Sequence, residues 1–226
     1  MANAHLELET LREGICSYNN VESALGIRRG KSTGATCLCN EFPLSDEYDE
    51  LEYRLAMERK GPVEIFGFLC EWGMMPRPLS ERYGITKPSQ LWEKVLPTLR
   101  SVDSITEFSL DSELDPSTRT RIGNVFSQLR NAIGPVSASK VLHVLKPDLF
   151  VPWDTKIRGY YNLDDGEEDY LSFLKTSGSQ RSDLLSNAGN EDTLRKTFYR
   201  RGWKPFSKLL DELNWARVWE LPPHFN

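Results

Sequence analysis

Two side chains in the segment GPVSASKVLHVLKPDLFVPWDTKIRG, residues 134 to 159, are of types that do chemistry: Lys140 and Asp154. A carboxylate held beside a reacting centre stabilises positive charge that develops in a transition state, and it can orient or deprotonate an attacking water. A lysine whose pKa is lowered by burial is instead a nucleophile that forms imines. His143 lies between the two with no partner in its sequence neighbourhood, and it reads as a surface or core-edge histidine. Downstream, RKTFYRRGWKPFSK, residues 195 to 208, carries Arg195, Lys196, Arg200, Arg201, Lys204 and Lys208 and no acid, interleaved with Phe198, Tyr199, Trp203 and Phe206. Basic heads track phosphates and aromatic faces stack on unpaired bases. The same stretch also reads as a helix docked on acidic parts of its own chain.

The elements that must position these groups are mostly helices, because apolar residues recur at helical spacing, as in Leu6, Leu8, Leu11 and Ile15, then Leu51, Leu55 and Met57. GPVEIFGFLCEWGMM is apolar nearly all round and predicts a central helix; KPSQLWEKVLPTLRSV predicts an amphipathic one with Leu91, Val95 and Leu99 inward and Pro97 as a site of kinking. Only GATCLCNEF suggests a strand. A helix is expected from Pro116, capped by Asp115, with Ile122, Val125, Phe126 and Leu129 on one face, stopping near Gly134. The next starts at once at Pro135, with Ala138, Val141, Leu142 and Leu145 on one face until KPD ends it. That register puts Lys140 off the apolar face, in solvent, and Asp154 also fits the cap of a helix beginning at TKIRGYY. LDDGEEDYLSFLKTSGSQRSDLLSNAGNED reads as an acidic, Ser/Gly-rich excursion around a short helix. The run DEYDELE at 46 to 52 is a solvated helix face, with no histidine or glycine-rich loop to give it chemistry.

The tight hairpin followed by an acid resembles the helix-hairpin-helix DNA glycosylases, whose turn has the form L-P-G-x-G, then x-[KSW]-T-A opening a helix, then [VIL]-x-D. In NAIGPVSA, Gly134 matches the second turn glycine and Ser137 and Ala138 the T-A pair, while VPWDTKI is similar to V-P-x-D-T-x-I. Asp154 follows Ala138 by 16 residues, similar to the family's helix plus loop. The resemblance covers residues about 116 to 160. It implies a mainly α, two-lobed, glycosylase-like domain spanning 1–226, with the hairpin at 116–145 and the Asp154 loop at 146–160; the basic aromatic segment at 190–219 is read from its own residues. It also implies base excision from duplex or single-stranded DNA bearing a modified base, without metal or other cofactor. Asp154 would be the catalytic carboxylate at the mouth of a cleft. Gly134, Ser137, Lys156, Arg158, Arg200, Arg201 and Lys204 would contact the backbone, and Trp153, Tyr160, Tyr161 and Trp203 would hold the flipped base. Three positions depart from the pattern: Ala132 replaces the first turn glycine, Pro135 removes an amide, and Val136 stands where bifunctional relatives carry a Schiff-base lysine. Lys140, in ASKV, resembles the A-x-K of an oxidised-guanine branch and is the secondary catalytic candidate. The departures favour an alternative, a non-catalytic module on the same scaffold that binds nucleic acid or a protein.

Composition sets the outer limits. The chain has 226 residues, 39% of them hydrophobic, enough for one large domain. Twenty-eight Lys and Arg against 33 Asp and Glu leave a net charge of −5, so attraction to nucleic acid must come from a local patch. Cys16, Cys37, Cys39 and Cys70 lack metal-site spacing. No apolar run nears the roughly 20 residues of a membrane span, and the first residues lack a signal peptide's apolar stretch. A soluble intracellular protein, cytoplasmic or in the nucleoid or nucleus, is the expectation.

Overall fold

Prolines open five of the helices among the described residues, because the first helical position needs neither the missing N–H nor any φ other than proline's. The computed structural model describes residues 51–71, 76–105, 109–110, 114–198 and 204–224. The strand expected at GATCLCNEF, the helix expected from Leu6, Cys16, residues 46–50 of the acidic run, and Arg200, Arg201 and Trp203 lie outside them. In chain order the helices are α1 (Leu51–Arg59), α2 (Pro62–Glu71), α3 (Pro76–Tyr83), α4 (Pro88–Asp103), α5 (Pro116–Ile133), α6 (Pro135–Leu145), α7 (Thr155–Tyr160), α8 (Glu167–Ala188), α9 (Glu191–Phe198) and α10 (Phe206–His224). The fold is mainly helical, as the apolar spacing predicts.

Helix α5 sits at the centre, packed against α4, α6 and α8. Its start is fixed by Asp115, whose Oδ1 accepts from Ser117 N at 2.8 Å and Thr118 N at 3.2 Å. Hydrogen bonds from these two residues hold the Asp115 carboxyl well below the usual carboxylate range. The buried stripe includes Ile122, Val125, Phe126 and Leu129, as expected. Helix α4 likewise turns Leu91, Val95 and Leu99 inward, with Pro97 inside it and exposed.

A single residue joins α5 to α6. Gly134 has φ 85° and ψ 160°; its N–H closes α5 on Arg130 O at 2.8 Å, and its carbonyl accepts the first bond of α6 from Ala138 N at 2.9 Å. A side chain here would be strained by that backbone and would meet the Tyr83 hydroxyl at 2.6 Å, so only glycine serves. Helix α6 packs against α5, α2 and α1 and buries nearly every residue, which overturns the one-sided register expected for it: Lys140 and His143 are inside. The stretch read as an excursion around a short helix instead holds a long one, α8, of 22 residues. Its serines and glycine are tolerated because tertiary packing outweighs propensity. At Gly178 a Cβ would lie 2.4 Å from Leu110 O, so the glycine is what lets the 109–110 segment touch the helix.

Between α6 and α7 the chain runs through the interior: Leu149, Phe150, Val151 and Trp153 are all buried. Trp153 is 1% exposed, edge-on to Tyr170 at 4.9 Å and to Phe126 at 5.7 Å, while Phe126 stacks on Tyr170 at 4.2 Å.

Two glycines give opposite predictions. Gly134→Ala is expected to lower the unfolding free energy by about 1–3 kcal/mol, as befits a side chain forced into a glycine-only region. Gly159→Ala, on an α7 position with open space around it, should stabilise by roughly 0.5–1 kcal/mol. Urea melts of both variants check this; shifts of the same sign would contradict the account of the joint.

Candidate functional site around Asp154

Asp154 sits at the head of α7 in extended conformation, and its Oδ1 accepts from Ile157 N at 2.7 Å. The capping reading therefore holds. It leaves the second carboxylate oxygen without a hydrogen bond from any described residue, on a half-buried side chain open to solvent. Its position is set from α6. Ser139 Oγ lies 3.2 Å from Trp153 N and 3.3 Å from Trp153 O, and Trp153 Nε1 donates to Pro135 O at 3.3 Å. The helix after the hairpin thus grips the residue before Asp154 by both backbone and ring.

The other expected site residues divide. Lys156 and Tyr160 are exposed on α7, Tyr160 by 49%; Arg158 is half-buried, with its guanidinium 5.5 Å over the Trp153 ring. Tyr161 is half-buried, its ring meeting Tyr160 at 5.0 Å and Phe173 at 5.8 Å. Trp153 itself is core, enclosed by Phe126, Tyr170 and Phe173, so it offers no open face to a base. Gly134 and Ser137 are buried as well, Gly134 beneath the Tyr83 ring, so the turn does not present them to a phosphate.

Lys140 and Lys204 correct the sequence expectation most sharply. Lys140 is only 9% exposed and lies within electrostatic reach of His143 and Asp211. Lys204 is buried too, 3.8 Å from Glu212, and Lys208 bonds Asp211 at 2.9 Å and Glu212 at 3.2 Å. These two members of the segment read as a phosphate-tracking patch are therefore neutralised internally by α10's own acids. The i,i+3 and i,i+4 spacing of Lys208 to Asp211 and Glu212 was the available signal. Burial pushes the Asp211 carboxyl up, opposed by Lys208.

His143 is fully buried. Its Nδ1 lies 3.0 Å from Phe150 O and 3.2 Å from Ser207 Oγ; since a carbonyl only accepts, Nδ1 carries the proton. Burial pushes its pKa down to about 3, with Lys208 and Lys140 adding to the effect and the Phe150 bond opposing it. Three polar residues not singled out by sequence complete the neighbourhood: Tyr161 Oη donates to Asn214 Oδ1 at 2.5 Å and accepts from Gln180 Nε2 at 2.7 Å, and Ser139 grips Trp153. A cavity of 610 Å³ lies elsewhere, floored by Leu110, Leu149, Leu171 and Leu174, and takes in none of the expected site residues.

No protein-family model, curated protein or solved structure matches this chain. Among the described residues, no helix is long and apolar enough to cross a membrane, and no cluster of three or more His, Cys, Asp or Glu is arranged to hold a metal ion.

The depressed His143 pKa has a definite sign. Between pH 6.5 and about 3 the unfolded chain binds a proton that the folded one refuses, so stability falls as pH drops through that window. The slope approaches 1.4 kcal/mol per pH unit at most. Asp211, with its raised pKa, pulls the other way above its ordinary 3.8. His143→Gln should be less stable at pH 7 yet show a flatter decline toward pH 4 in urea melts. Parallel declines in the two proteins would remove His143 as the cause.

Proposed function

We propose that this chain is a glycosylase-like base-excision protein acting on DNA, with Asp154 as its catalytic carboxylate. The observation that carries the reading is the way α6 holds Trp153 while Asp154, next in the chain, keeps one oxygen on the α7 cap and the other unengaged. In the proposed reaction the C1′–N bond breaks and its electron pair leaves with the base, positive charge builds on the sugar, and the free Asp154 oxygen faces that charge. Water then bonds to C1′, giving up a proton that balances the one taken by the departing base. Lys156, Arg158, Tyr160 and Tyr161 lie on or just after the same short helix and supply cationic and aromatic contacts to an extruded nucleotide. Lys140 is enclosed with Asp211 and His143, which favours water over lysine as the attacking group.

A non-catalytic binding module on the same scaffold is the second reading. The burial of Gly134 and Ser137 and the capping duty of Asp154 favour it.

Asp154→Asn separates the roles, because asparagine caps helices about as well as aspartate but brings no charge. With oligonucleotides bearing oxidised, alkylated and deaminated bases, the variant should lose base release by about 10²–10³-fold or more while its melting temperature stays close to the wild type's. Borohydride should trap no covalent adduct. An adduct that disappears in Lys140→Ala would transfer the chemistry to Lys140, and no release from any substrate would leave the binding module.

A further inference from the structure

We propose that the 610 Å³ cavity beside α8 binds a small amphipathic monocarboxylate, its tail on the leucines and its head at Lys175 and Arg119. One wall is a single face of α8, because Leu171, Leu174, Gly178 and Ser182 recur at spacings of three and four. From Leu171 to Asp183 that face runs about 18 Å at the helical rise. Leu110, Leu114 and Leu149 complete the apolar lining. Leu110, Leu149, Leu171 and Leu174 are each between 2% and 7% exposed, so the floor is hydrocarbon with little access to water.

The lining is held in place and leaves the space open. Leu110 N donates to Asp148 O at 2.9 Å, and Leu110 O meets α8 at Gly178, where a Cβ would be only 2.4 Å away. Ser179 Oγ donates to Lys175 O at 3.3 Å and Ser182 Oγ to Gly178 O at 3.1 Å. Both hydroxyls are turned onto their own helix, and with their single donors spent they do not hold an anion. The head group is therefore selected by charge.

Two cations and one anion line the cavity. Arg119 is bonded through Nη2 to the exposed Glu168, which offsets its charge and leaves the rest of its N–H fork for a second acceptor. Lys175, exposed on α8, has no partner for its ammonium among the described residues. Asp183 lies eight residues further on, about 12 Å along the helix, and carries the opposite sign. A single negative charge is thus drawn to the Lys175 end and kept from the Asp183 end, which lays an apolar tail over the leucines. An alcohol gains neither ionic contact, and an alkylammonium is repelled where the carboxylate is held. The site lies apart from Asp154 and does not rest on the excision reading.

Calorimetric titration of the intact protein with decanoate should saturate below about 1 mM, while 1-decanol and decyltrimethylammonium, which carry the same tail, should bind about fivefold more weakly or worse. Lys175→Gln should weaken decanoate by about threefold or more and leave 1-decanol unchanged, since the ammonium is exposed and screened. Ser179→Trp puts a ring into the space from an exposed position, so it should abolish binding of both while circular dichroism keeps the helical signal. Asp183→Asn should bind decanoate at least as tightly as the wild type. If Ser179→Trp loses its helical signal, Lys175→Gln still decides. No saturable binding, equal or tighter binding of the alcohol or the ammonium, or unchanged decanoate affinity in Lys175→Gln or in a folded Ser179→Trp would overturn the proposal.

Discussion

A loop that runs through a protein interior must find partners for its backbone, since water cannot reach it. The segment from Leu149 to Trp153 is under that constraint, and side chains from two helices meet it. His143 binds Phe150 O, Tyr170 Oη donates to Val151 O at 3.1 Å, and Ser139 holds Trp153 on both its amide and its carbonyl. Each of these polar groups is buried only because the loop requires it. The loop in turn carries Trp153 into the aromatic cluster and delivers Asp154 to the surface one residue later. The neutrality of His143 follows from the same arrangement: its task is to donate Nδ1–H to a carbonyl in an apolar setting, and burial removes the second proton.

The α6 and α10 region meets a different demand. Lys140, Lys204 and Lys208 are enclosed with Asp211 and Glu212, and buried ions are tolerable only when paired and hydrogen-bonded. Such a set adds little net stability over apolar packing, yet it is intolerant of losing one member, because the remaining charge is then stranded. It ties α10, late in the chain, to α6, at the centre of the fold.

Sequence made the local parts legible. Asp115, Pro116, Gly134 and Pro135 mark helix ends through backbone chemistry that does not depend on the rest of the fold, and the Asp154 cap followed from the same rules. Long-range facts stayed hidden. Lys140 lies off the apolar stripe of its own helix, and nothing local shows that α10 covers it with Asp211. Gly178 and its neighbouring serines looked like breakers because their purpose, admitting Leu110 O, lies 68 residues away in sequence. Trp153 beside Asp154 fitted an aromatic pocket, but the rings of Phe126, Tyr170 and Phe173 that claim it come from α5 and α8. The Tyr161, Gln180 and Asn214 relay joins three elements and leaves no trace in spacing.

The dependence of α6 on α10 also has a consequence in time. Synthesis runs from the amino end, at about 5–20 residues per second. Lys140 and His143 are made before Asp211, Glu212 and Ser207, the groups that surround them in the finished fold. For roughly 4–14 s at that pace, the hairpin and its loop exist on the ribosome without their countercharges. During that interval Lys140 keeps its ammonium hydrated and His143 keeps an ordinary imidazole, so α6 cannot seat fully. A helix made well after the hairpin is therefore the one that closes this interior, and a nascent chain stalled before residue 206 holds a hairpin whose second helix is still wet.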